Sequence, residues 1–368
     1  MKKYVFMNGN EKKLPLSMQA YGYNSSSFFS WVESRVAPVG RHHMEAILKA
    51  VNLKNKFDIL SYCHGLSLND TYWIKEIDDP VTFDEINLYD NSFDEALGWI
   101  AFTGLPSNIS RNLSTPEFTT EGALPKYWQK MNSSSIILIK GGTDGYANAG
   151  GEPYSEVTAS LIANILGINC INYELDNRNG KVVSISNLFT TKDLGLVTIN
   201  DLLKYKFHGR DKVSLNETLL MLKGLLGTVE PIYDMCFFDW LIKNDDRHLN
   251  NWGLLINNKT REFSGFAPLW DNGMSLLWSA MKQDFPESYD YNNTFASFNI
   301  PYDFILECEY REKYIKMCNK LLKRINSGEL LEMLKPIYFY KDEDKHCWKA
   351  PYVVEMLKRR CEQYLKGN

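Results

Sequence analysis

The sequence predicts an α+β fold of two lobes, preceded by an N-terminal accessory region. Apolar runs rich in β-branched residues, bounded by turn residues, lie before about residue 190. Beyond residue 200 the apolar residues recur at helical spacing. A segment rich in Ser, Thr, Asn and Pro, 105–120, precedes the first lobe. We therefore predict an accessory region at 1–110, a sheet-rich lobe at 111–190 and a helical lobe at 191–368.

The composition limits the class of protein. With 368 residues, of which 44% are hydrophobic, the chain has enough apolar material for a core, which excludes global disorder. A net charge of −4 does not indicate a strongly basic surface, so we expect no direct nucleic-acid partner. No apolar run approaches the roughly 18 residues of a membrane span, and the first residues lack a signal-peptide core. We expect a cytoplasmic protein with no membrane partner and with reduced cysteines.

The most informative feature is a pair of polar segments separated by a predicted hairpin. Residues 244–251 read Asn-Asp-Asp-Arg-His-Leu-Asn-Asn, and residues 270–273 read Trp-Asp-Asn-Gly. Between them, two apolar runs flank a turn-prone Asn-Asn-Lys-Thr, which predicts a β-hairpin. A hairpin returns the chain to its starting end. We therefore expect Asp271 to lie beside Asp246 and Asn251.

These side chains suit the transfer of a phosphoryl group, in which an enzyme mainly positions the reactants and neutralises charge. Asp246 is placed to accept or orient the proton of a nucleophile. Asn251 and Asp271 offer the hard oxygen ligands that Mg²⁺ prefers, with waters completing its shell. His248 can donate to a phosphate oxygen or assist the proton transfer. For Arg247 two roles stay open, which are to screen phosphate charge or to support the loop.

An enzyme that transfers the γ-phosphate of a nucleotide also needs a cation for the α- and β-phosphates. Lys140 is the predicted cation. It ends the β-branched apolar run 135–139, and so leaves a buried strand at its end. Residues 155–166 show helical apolar spacing. Glu156, expected in the first turn of that helix, would pair with Lys140 and orient it. The alternatives are a lysine that only ends an edge strand and an acid that only complements the helix dipole.

The segment Asp-Arg-His-x-x-Asn, followed by a hairpin and a metal-binding Asp, resembles the catalytic segment of phosphatidylinositol 3/4-kinases. It also resembles the bacterial HipA family of serine/threonine kinases, in which the segment is usually Asp-x-His-x-x-Asn. The flanking residues favour the second family. Phe-Asp-Trp-Leu-Ile at 238–242 is similar to the helix that enters its catalytic loop, and Phe-Ala-Pro-Leu-Trp-Asp at 266–271 is similar to its Leu-Ala-Pro-x-Tyr-Asp.

The resemblance extends to a phosphate loop upstream. Residues 119–126 resemble the Ser-x-x-Gly-x-x-x-Lys loop of HipA-like kinases, with Thr119, Gly122 and Lys126 at the matching positions. Threonine replaces serine, and a Gly-x-Gly-x-x-Gly pattern is absent. In that family the loop hydroxyl can be autophosphorylated, which makes Thr119 the candidate site. A plain loop with a basic neighbour is the alternative interpretation.

A hinge for the adenine base is predicted after two further strands. Residues 169–173 and 181–186 are predicted to be strands joined by a turn at 176–180. By resemblance, Ser186 and Leu188 then belong to a hinge whose backbone groups face the adenine edge.

The resemblance implies a protein-kinase-like fold and an enzyme that transfers the γ-phosphate of ATP, with Mg²⁺, to Ser or Thr of a protein. HipA relatives often act as toxins held in check by a DNA-binding antitoxin, which makes an antitoxin a candidate partner. A lipid kinase and a nucleotide-binding pseudokinase are the alternatives. The small chain without a basic membrane patch argues against the first. The retained Asp246, Asn251 and Asp271 argue against the second.

Overall fold

The computed structural model describes residues 3–21, 25–38, 40–53, 56–109, 115–132, 135–210, 212–285, 293–340 and 345–367. The strands are β1 (Tyr4–Asn8), β2 (Glu11–Lys12), β3 (Tyr72–Glu76), β4 (Lys126–Lys130), β5 (Ile136–Gly141), β6 (Tyr173–Arg178), β7 (Lys181–Asn187), β8 (Leu194–Thr198), β9 (Gly253–Asn257), β10 (Phe263–Phe266), β11 (Thr294–Phe295) and β12 (Ile300–Pro301). The helices are α1 (Leu16–Tyr21), α2 (Ser25–Ser34), α3 (Met44–Ala50), α4 (Leu60–Cys63), α5 (Phe83–Ile86), α6 (Glu95–Thr103), α7 (Glu152–Leu166), α8 (Ile199–Lys206), α9 (Leu215–Leu226), α10 (Glu230–Leu241), α11 (Arg311–Asn326), α12 (Glu329–Tyr338) and α13 (Lys349–Lys366).

The chain forms two compact units, each assembled from three segments. Unit 1 contains Met1–Lys140, Asn187–Val213 and Gly253–Ala267, and unit 2 contains Gly141–Ser186, Ser214–Trp252 and Pro268–Asn368. These units cut across the three regions predicted from the sequence, because the hairpin β9–β10 joins unit 1 although its neighbours in sequence lie in unit 2. The functional division at residues 110 and 190 stays a prediction.

Unit 1 combines antiparallel strands with the helices α1–α6 and α8. β1 lies between β2 and β3, and β9 lies between β8 and β10. β4 pairs with β5 from Lys126↔Lys140 to Lys130↔Ile136. Three buried clusters fill the unit, centred on Ile47 and Ile100, on Trp73, and on Phe6. The predicted hairpin between the two polar segments is therefore confirmed in β9 and β10.

Unit 2 combines the hairpin β6–β7 with most of the long helices. Helices α10, α11 and α13 enclose an aromatic core. The rings of Phe237 and Tyr314 stack with centroids 4.4 Å apart, and Tyr364 meets Phe237 edge-on at 5.2 Å. Phe237 belongs to α10, so this core anchors the helix that leads into the first polar segment. In the described part of the chain, no helix has both the length and the apolar composition to span a bilayer.

Two element boundaries differ from the prediction. Helix α7 begins at Glu152, which puts Glu152 rather than Glu156 in the first turn. Pro153 explains the earlier start, because proline is well tolerated at the beginning of a helix, where its missing N–H is not needed. The first strand of the next hairpin begins at Tyr173 rather than 169.

The turn of that hairpin is also shorter than predicted. β6 and β7 are joined by Asn179 and Gly180 alone, with φ values of 53° and 76°. Two consecutive positive φ angles suit the type I′ turn, for which Asn-Gly is the preferred sequence. The dipeptide therefore fixes the hairpin more tightly than the predicted five-residue turn.

Candidate active site

The first polar segment is fixed to the end of helix α10. Asp239, in the last turn of that helix, is fully buried. Its carboxylate accepts a hydrogen bond from Asn244 Nδ2 at 2.9 Å, and its carbonyl accepts one from Asn244 N at 2.8 Å. Asn244 Oδ1 in turn accepts from Asp246 N at 3.0 Å. The backbone at Asp246 is thus tied to a rigid helix through one asparagine.

Arg247 joins the two polar segments. Its Nε and Nη2 donate to the two carboxylate oxygens of Asp239, each at 2.9 Å. Nη1 donates to the carbonyls of Asn251 at 2.7 Å and Trp270 at 2.6 Å. Nη2 also donates to Asn272 Oδ1 at 2.6 Å. These five bonds use the five N–H groups of a guanidinium, so none remains for a phosphate.

The electrostatics of Arg247 agree with a structural role. Burial alone would lower the pKa of this fully buried guanidinium, but the Asp239 carboxylate outweighs that effect and raises the pKa. The guanidinium therefore stays ionised and binds the Asp239 carboxylate in a bidentate manner. Of the two roles left open by the sequence, support of the loop is the one that this geometry allows.

Asn251 is oriented by the same loop. Its Nδ2 donates to the carbonyl of Asp246 at 2.9 Å, which leaves Oδ1 as the group that can accept a metal or a donor. The Asp246 carbonyl also accepts from His248 N at 2.8 Å. His248 itself is exposed, and its Nδ1 accepts from Asn250 N at 3.2 Å. A neutral His248 then carries its proton on Nε2, where it can donate to an anion.

The second polar segment is held by helix α7. Asn272 N donates to Glu156 Oε2 at 2.8 Å, and Asp271 N donates to the Tyr173 hydroxyl at 3.3 Å. A Cβ at Gly273 would lie 3.3 Å from Glu156 Oε1 and 3.2 Å from Glu152 Cβ, so the helix approaches closely because this residue is glycine. Glu156 therefore fixes the loop that carries Asp271. Its predicted pairing with Lys140 stays a prediction.

Asp271 has an unusual backbone. Its φ of 57° lies in the left-handed region, which costs energy for a residue with a side chain and which Asp tolerates better than most. Because Arg247 Nη1 touches the carbonyls of both Asn251 and Trp270, the segment carrying Asn251 and the one carrying Asp271 meet at a single nitrogen. The predicted convergence of the two segments is therefore present in unit 2.

The charges and donor atoms of these segments suit a divalent cation. The pKa of Tyr173 is raised well above its usual value, first by burial and then by the negative charges of Glu156 and Asp271. Within the described ranges, no group of three or more His, Cys, Asp or Glu side chains forms a complete metal cage. The available set is one carboxylate at Asp271 and one amide oxygen at Asn251. Mg²⁺ accepts so small a set, because it keeps several waters and takes phosphate oxygens as ligands.

Unit 1 contains the predicted phosphate-binding lysines. Lys126 and Lys140 are direct cross-strand partners in β4 and β5, with side chains only 6% and 7% exposed. Their cross-strand position brings two positive charges together, which suits the binding of an anion. Lys126 Nζ donates to the carbonyl of Glu121 at 2.9 Å. Gly122 has a φ of +87°, and a Cβ there would lie 2.3 Å from Lys126 Nζ. The predicted loop thus folds over the Lys126 ammonium and needs its glycine to do so.

The remaining predicted residues are less accessible. Thr119 is 9% exposed, and its hydroxyl donates to the carbonyl of Leu66 at 2.8 Å, so this conformation does not present it to a phosphate donor. Ser186 is buried near the end of β7. Leu188 N donates to the carbonyl of Ile136 at 2.9 Å. That N–H is therefore occupied in this conformation, and the hinge role of Ser186 and Leu188 stays a prediction.

Several residues that hold the two polar segments in place were not predicted from the sequence. Asp239 lies in a segment recognised only as a helix, and Asn244, Asn272 and Tyr173 had no assigned role. Several of their partners lie on another element far along the chain, as with Asn272 and Glu156, which are 116 positions apart. Sequence periodicity therefore had no means of pairing them.

Comparison with known proteins finds similarity to a serine/threonine kinase and to a HipA protein. No protein-family model matches it. A stretch of 133 residues, 33% of the chain, is 32% identical to the serine/threonine-protein kinase CtkA of Helicobacter pylori, of which it spans 40%. The crystal structure of the H. pylori proinflammatory kinase CtkA matches with a TM-score of 0.50 and 21% identity, over 67% of this chain and 90% of that one. HipA in the Shewanella oneidensis complex of HipA, HipB and operator DNA reaches 0.47 and 13%, over 92% and 85%.

The sequence match therefore covers less than half of CtkA, while the structural match covers most of the solved CtkA chain. The similarity to phosphatidylinositol kinases stays a prediction. The CtkA structure confirms the predicted α+β, kinase-like fold, and one third of this chain is similar in sequence to the serine/threonine-protein kinase CtkA.

Proposed function

We propose that the protein is a serine/threonine protein kinase that uses ATP and Mg²⁺. The observation that carries the proposal is the guanidinium of Arg247, which holds the segment of Asp246 and Asn251 against the segment of Asp271. Such a fixed arrangement is what phosphoryl transfer requires, because catalysis there depends on positioning and on charge neutralisation. The kinship with CtkA supports the same activity.

In the proposed reaction, Asp246 accepts or orients the proton of a Ser or Thr hydroxyl of the acceptor. The hydroxyl oxygen bonds to the γ-phosphorus of ATP, the bond to the bridging oxygen breaks, and ADP leaves. Asn251 Oδ1 and the Asp271 carboxylate hold Mg²⁺, which neutralises phosphate charge when it is bound. His248 Nε2 supplies a further donor to a phosphate oxygen.

Phosphate binding is proposed for the lysine pair of unit 1. Lys126 and Lys140 bring two positive charges to adjacent strands, and the loop at Gly122 covers the first of them. Both lysines are nearly buried, so an anion bound there would be screened little by solvent. The proposed acceptor is a protein. The further proposal of an antitoxin partner, and of autophosphorylation at Thr119, rests on the resemblance to HipA kinases.

The test is phosphate transfer from labelled ATP, with mapping of every labelled residue after incubation with cell lysate. Asp246→Asn should lower the rate of transfer by about 10²–10⁴-fold, the usual contribution of a positioned acid or base, while ATP remains bound. Asp245→Asn is the matched control, since it removes the neighbouring exposed carboxylate. We expect this control to keep most of the activity.

Two outcomes would count against the proposal. Equal transfer by the wild type and the Asp246→Asn protein would remove Asp246 from the chemistry. In the second outcome, the wild type would bind ATP and label phosphatidylinositol vesicles but no protein. That result would show that the acceptor is a lipid and not a protein.

A further inference from the structure

The predicted phosphate loop is held in place by the first part of the chain. Phe118 O accepts a hydrogen bond from Ala37 N at 2.8 Å, and Ala123 O accepts one from His42 N at 2.9 Å. The Thr119 hydroxyl donates to Leu66 O at 2.8 Å. All these contacts lie within unit 1. The loop is therefore fixed from outside rather than by its own secondary structure.

Arg41 makes the most extensive of these contacts. It is buried, and its Nη1 donates to the carbonyl of Glu117 and, at 3.4 Å, to that of Thr120. Its Nη2 donates to the carbonyl of Lys126 at 3.0 Å. One guanidinium thus spans the loop from its beginning to its end, and the last bond fixes the backbone of the residue whose ammonium faces Gly122.

A buried carboxylate accompanies this cation. Glu117 is fully buried, and its Oε1 accepts from Trp128 N at 2.8 Å, while Oε2 accepts from the Thr115 hydroxyl. Burial raises the pKa of Glu117 and lowers that of Arg41, and the opposite charge of each group partly offsets this effect on the other. The base of the loop therefore contains a buried carboxylate and a buried arginine, and Arg41 comes from the region that carries no phosphoryl-transfer motif.

We propose that Arg41 is a positioning residue for ATP, which sets the conformation of loop 117–126 so that Lys126 meets the phosphates beside Lys140. The role assigned to the N-terminal region is thus to order the phosphate loop. The inference rests on the proposed kinase function. Arg41 acts through the loop and does not itself contact the nucleotide.

The physical reason is that Arg41 holds the backbone of the loop at three points, from Glu117 to Lys126. Without the guanidinium, the carbonyls of Glu117, Thr120 and Lys126 would lose a charged donor, and hydrogen bonds to charged groups are the stronger ones. The backbone at Lys126 would then sample other positions, and its ammonium would spend less time beside Lys140. The loss should fall on ATP binding, while Asp246 and its neighbours in unit 2 keep their own hydrogen bonds.

The experiment compares Arg41→Met and Arg41→Lys with the wild type in the full chain. For Arg41→Met we expect the KM for ATP to rise about tenfold with a smaller change in kcat, as for the loss of about one charged hydrogen bond. Arg41→Lys keeps the positive charge but lacks the planar guanidinium with its several N–H donors, so its KM for ATP should rise less than that of Arg41→Met. Backbone amides of 117–127 should exchange hydrogen faster in both variants, by mass spectrometry.

Arg35→Met is the matched control. Arg35 is a partly buried arginine of unit 1, paired with Asp70 at 3.0 Å, and it has no hydrogen bond to the loop among the described contacts. We expect it to lower stability without changing the KM for ATP or the exchange of 117–127. If Arg35→Met raised the KM as much as Arg41→Met, the effect would be general destabilisation and the proposal would be wrong.

The exchange measurement separates this inference from the kinase function. Suppose that Arg41→Lys exchanges hydrogen faster at 117–127, but that the wild type neither binds ATP nor transfers phosphate. This result would contradict the proposed kinase function while supporting the role of Arg41 in ordering the loop. If the wild type is active and exchange is unchanged in Arg41→Lys, only the role of Arg41 would be overturned. Exchange on Arg41→Lys also decides the matter if Arg41→Met does not fold.

Discussion

At the scale of single residues, the sequence identifies chemical groups better than it identifies their partners. Asp246, Asn251 and Asp271 were chosen because their types and spacing suit a magnesium-dependent transfer, and the structure brings their segments together. Arg247 was left with two roles because a sequence does not show how many of its N–H groups are used. Its partners include the carboxylate of Asp239, in the preceding helix α10, and the carbonyl of Trp270, which follows the hairpin β9–β10.

Removal of the Arg247 guanidinium should cost about 3–5 kcal/mol of stability, the usual penalty when one member of a buried ion pair is lost. In Arg247→Met, the Asp239 carboxylate would stay buried without its cation, and the carbonyls of Asn251 and Trp270 would lose their donor. The free energy of unfolding, measured in urea, checks this expectation.

An exposed ion pair provides the control for that measurement. Arg359 bonds to Glu355 one turn earlier on helix α13, at 2.9 Å and with side chains 42% and 43% exposed. Such surface pairs contribute about 0.3–0.5 kcal/mol, so Arg359→Met should change the stability only slightly. Equal losses in the Met variants of Arg247 and Arg359 would show that the buried network does not stabilise the loops.

At the scale of elements, the type of most segments follows from the sequence, whereas several boundaries do not. The helical spacing of apolar residues beyond residue 200 predicted helices there, and α11 and α13 are among those found. The start of α7 and the turn at Asn179–Gly180 depend on local backbone chemistry, on a proline and on two positive φ angles. Hydrophobic periodicity does not register such single-residue preferences.

Helix α9 offers two glycines that should respond in opposite ways to the same substitution. Gly224 is exposed within the helix, with open space around its Cα, so Gly224→Ala should stabilise the protein by roughly 0.5–1 kcal/mol through reduced freedom of the unfolded chain. Gly227 ends the helix with a φ of +75°. Gly227→Ala should therefore destabilise by about 1–2 kcal/mol.

The sign of the difference between these two variants is the measured quantity, taken from urea midpoints at constant m value. Because both substitutions add one methyl group to the same helix, a change in helix propensity alone would make them agree. A stabilising Gly227→Ala would mean that the left-handed cap is not formed in solution.

At the scale of the whole molecule, the kinase-like class was predictable and the division into units was not. The class follows from the two polar segments and from the order of strands and helices along the chain. The units depend on long-range pairing, such as that of β8 with β9, whose residues Leu196 and Leu255 lie 59 positions apart. No local pattern selects such a partner, since many apolar strands of similar length satisfy the same alternation.

Binding of magnesium and ATP should stabilise the protein, because a ligand that binds only the folded state adds RT ln(1 + [L]/Kd). At a free concentration of 100 times Kd this is about 2.7 kcal/mol, which should raise the Tm by a few degrees in a chain of this size. Asp271→Asn removes one of the two proposed metal ligands and should abolish the part of the rise in Tm that depends on Mg²⁺. The control is Asp303→Asn, which removes an exposed carboxylate of the same unit and should keep the full rise in Tm. Scans with ATP and Mg²⁺, with ATP and EDTA, and with AMP and Mg²⁺ separate these contributions. A shift that was identical with EDTA, or that Asp303→Asn lost as fully as Asp271→Asn, would show that Asp271 does not hold the metal.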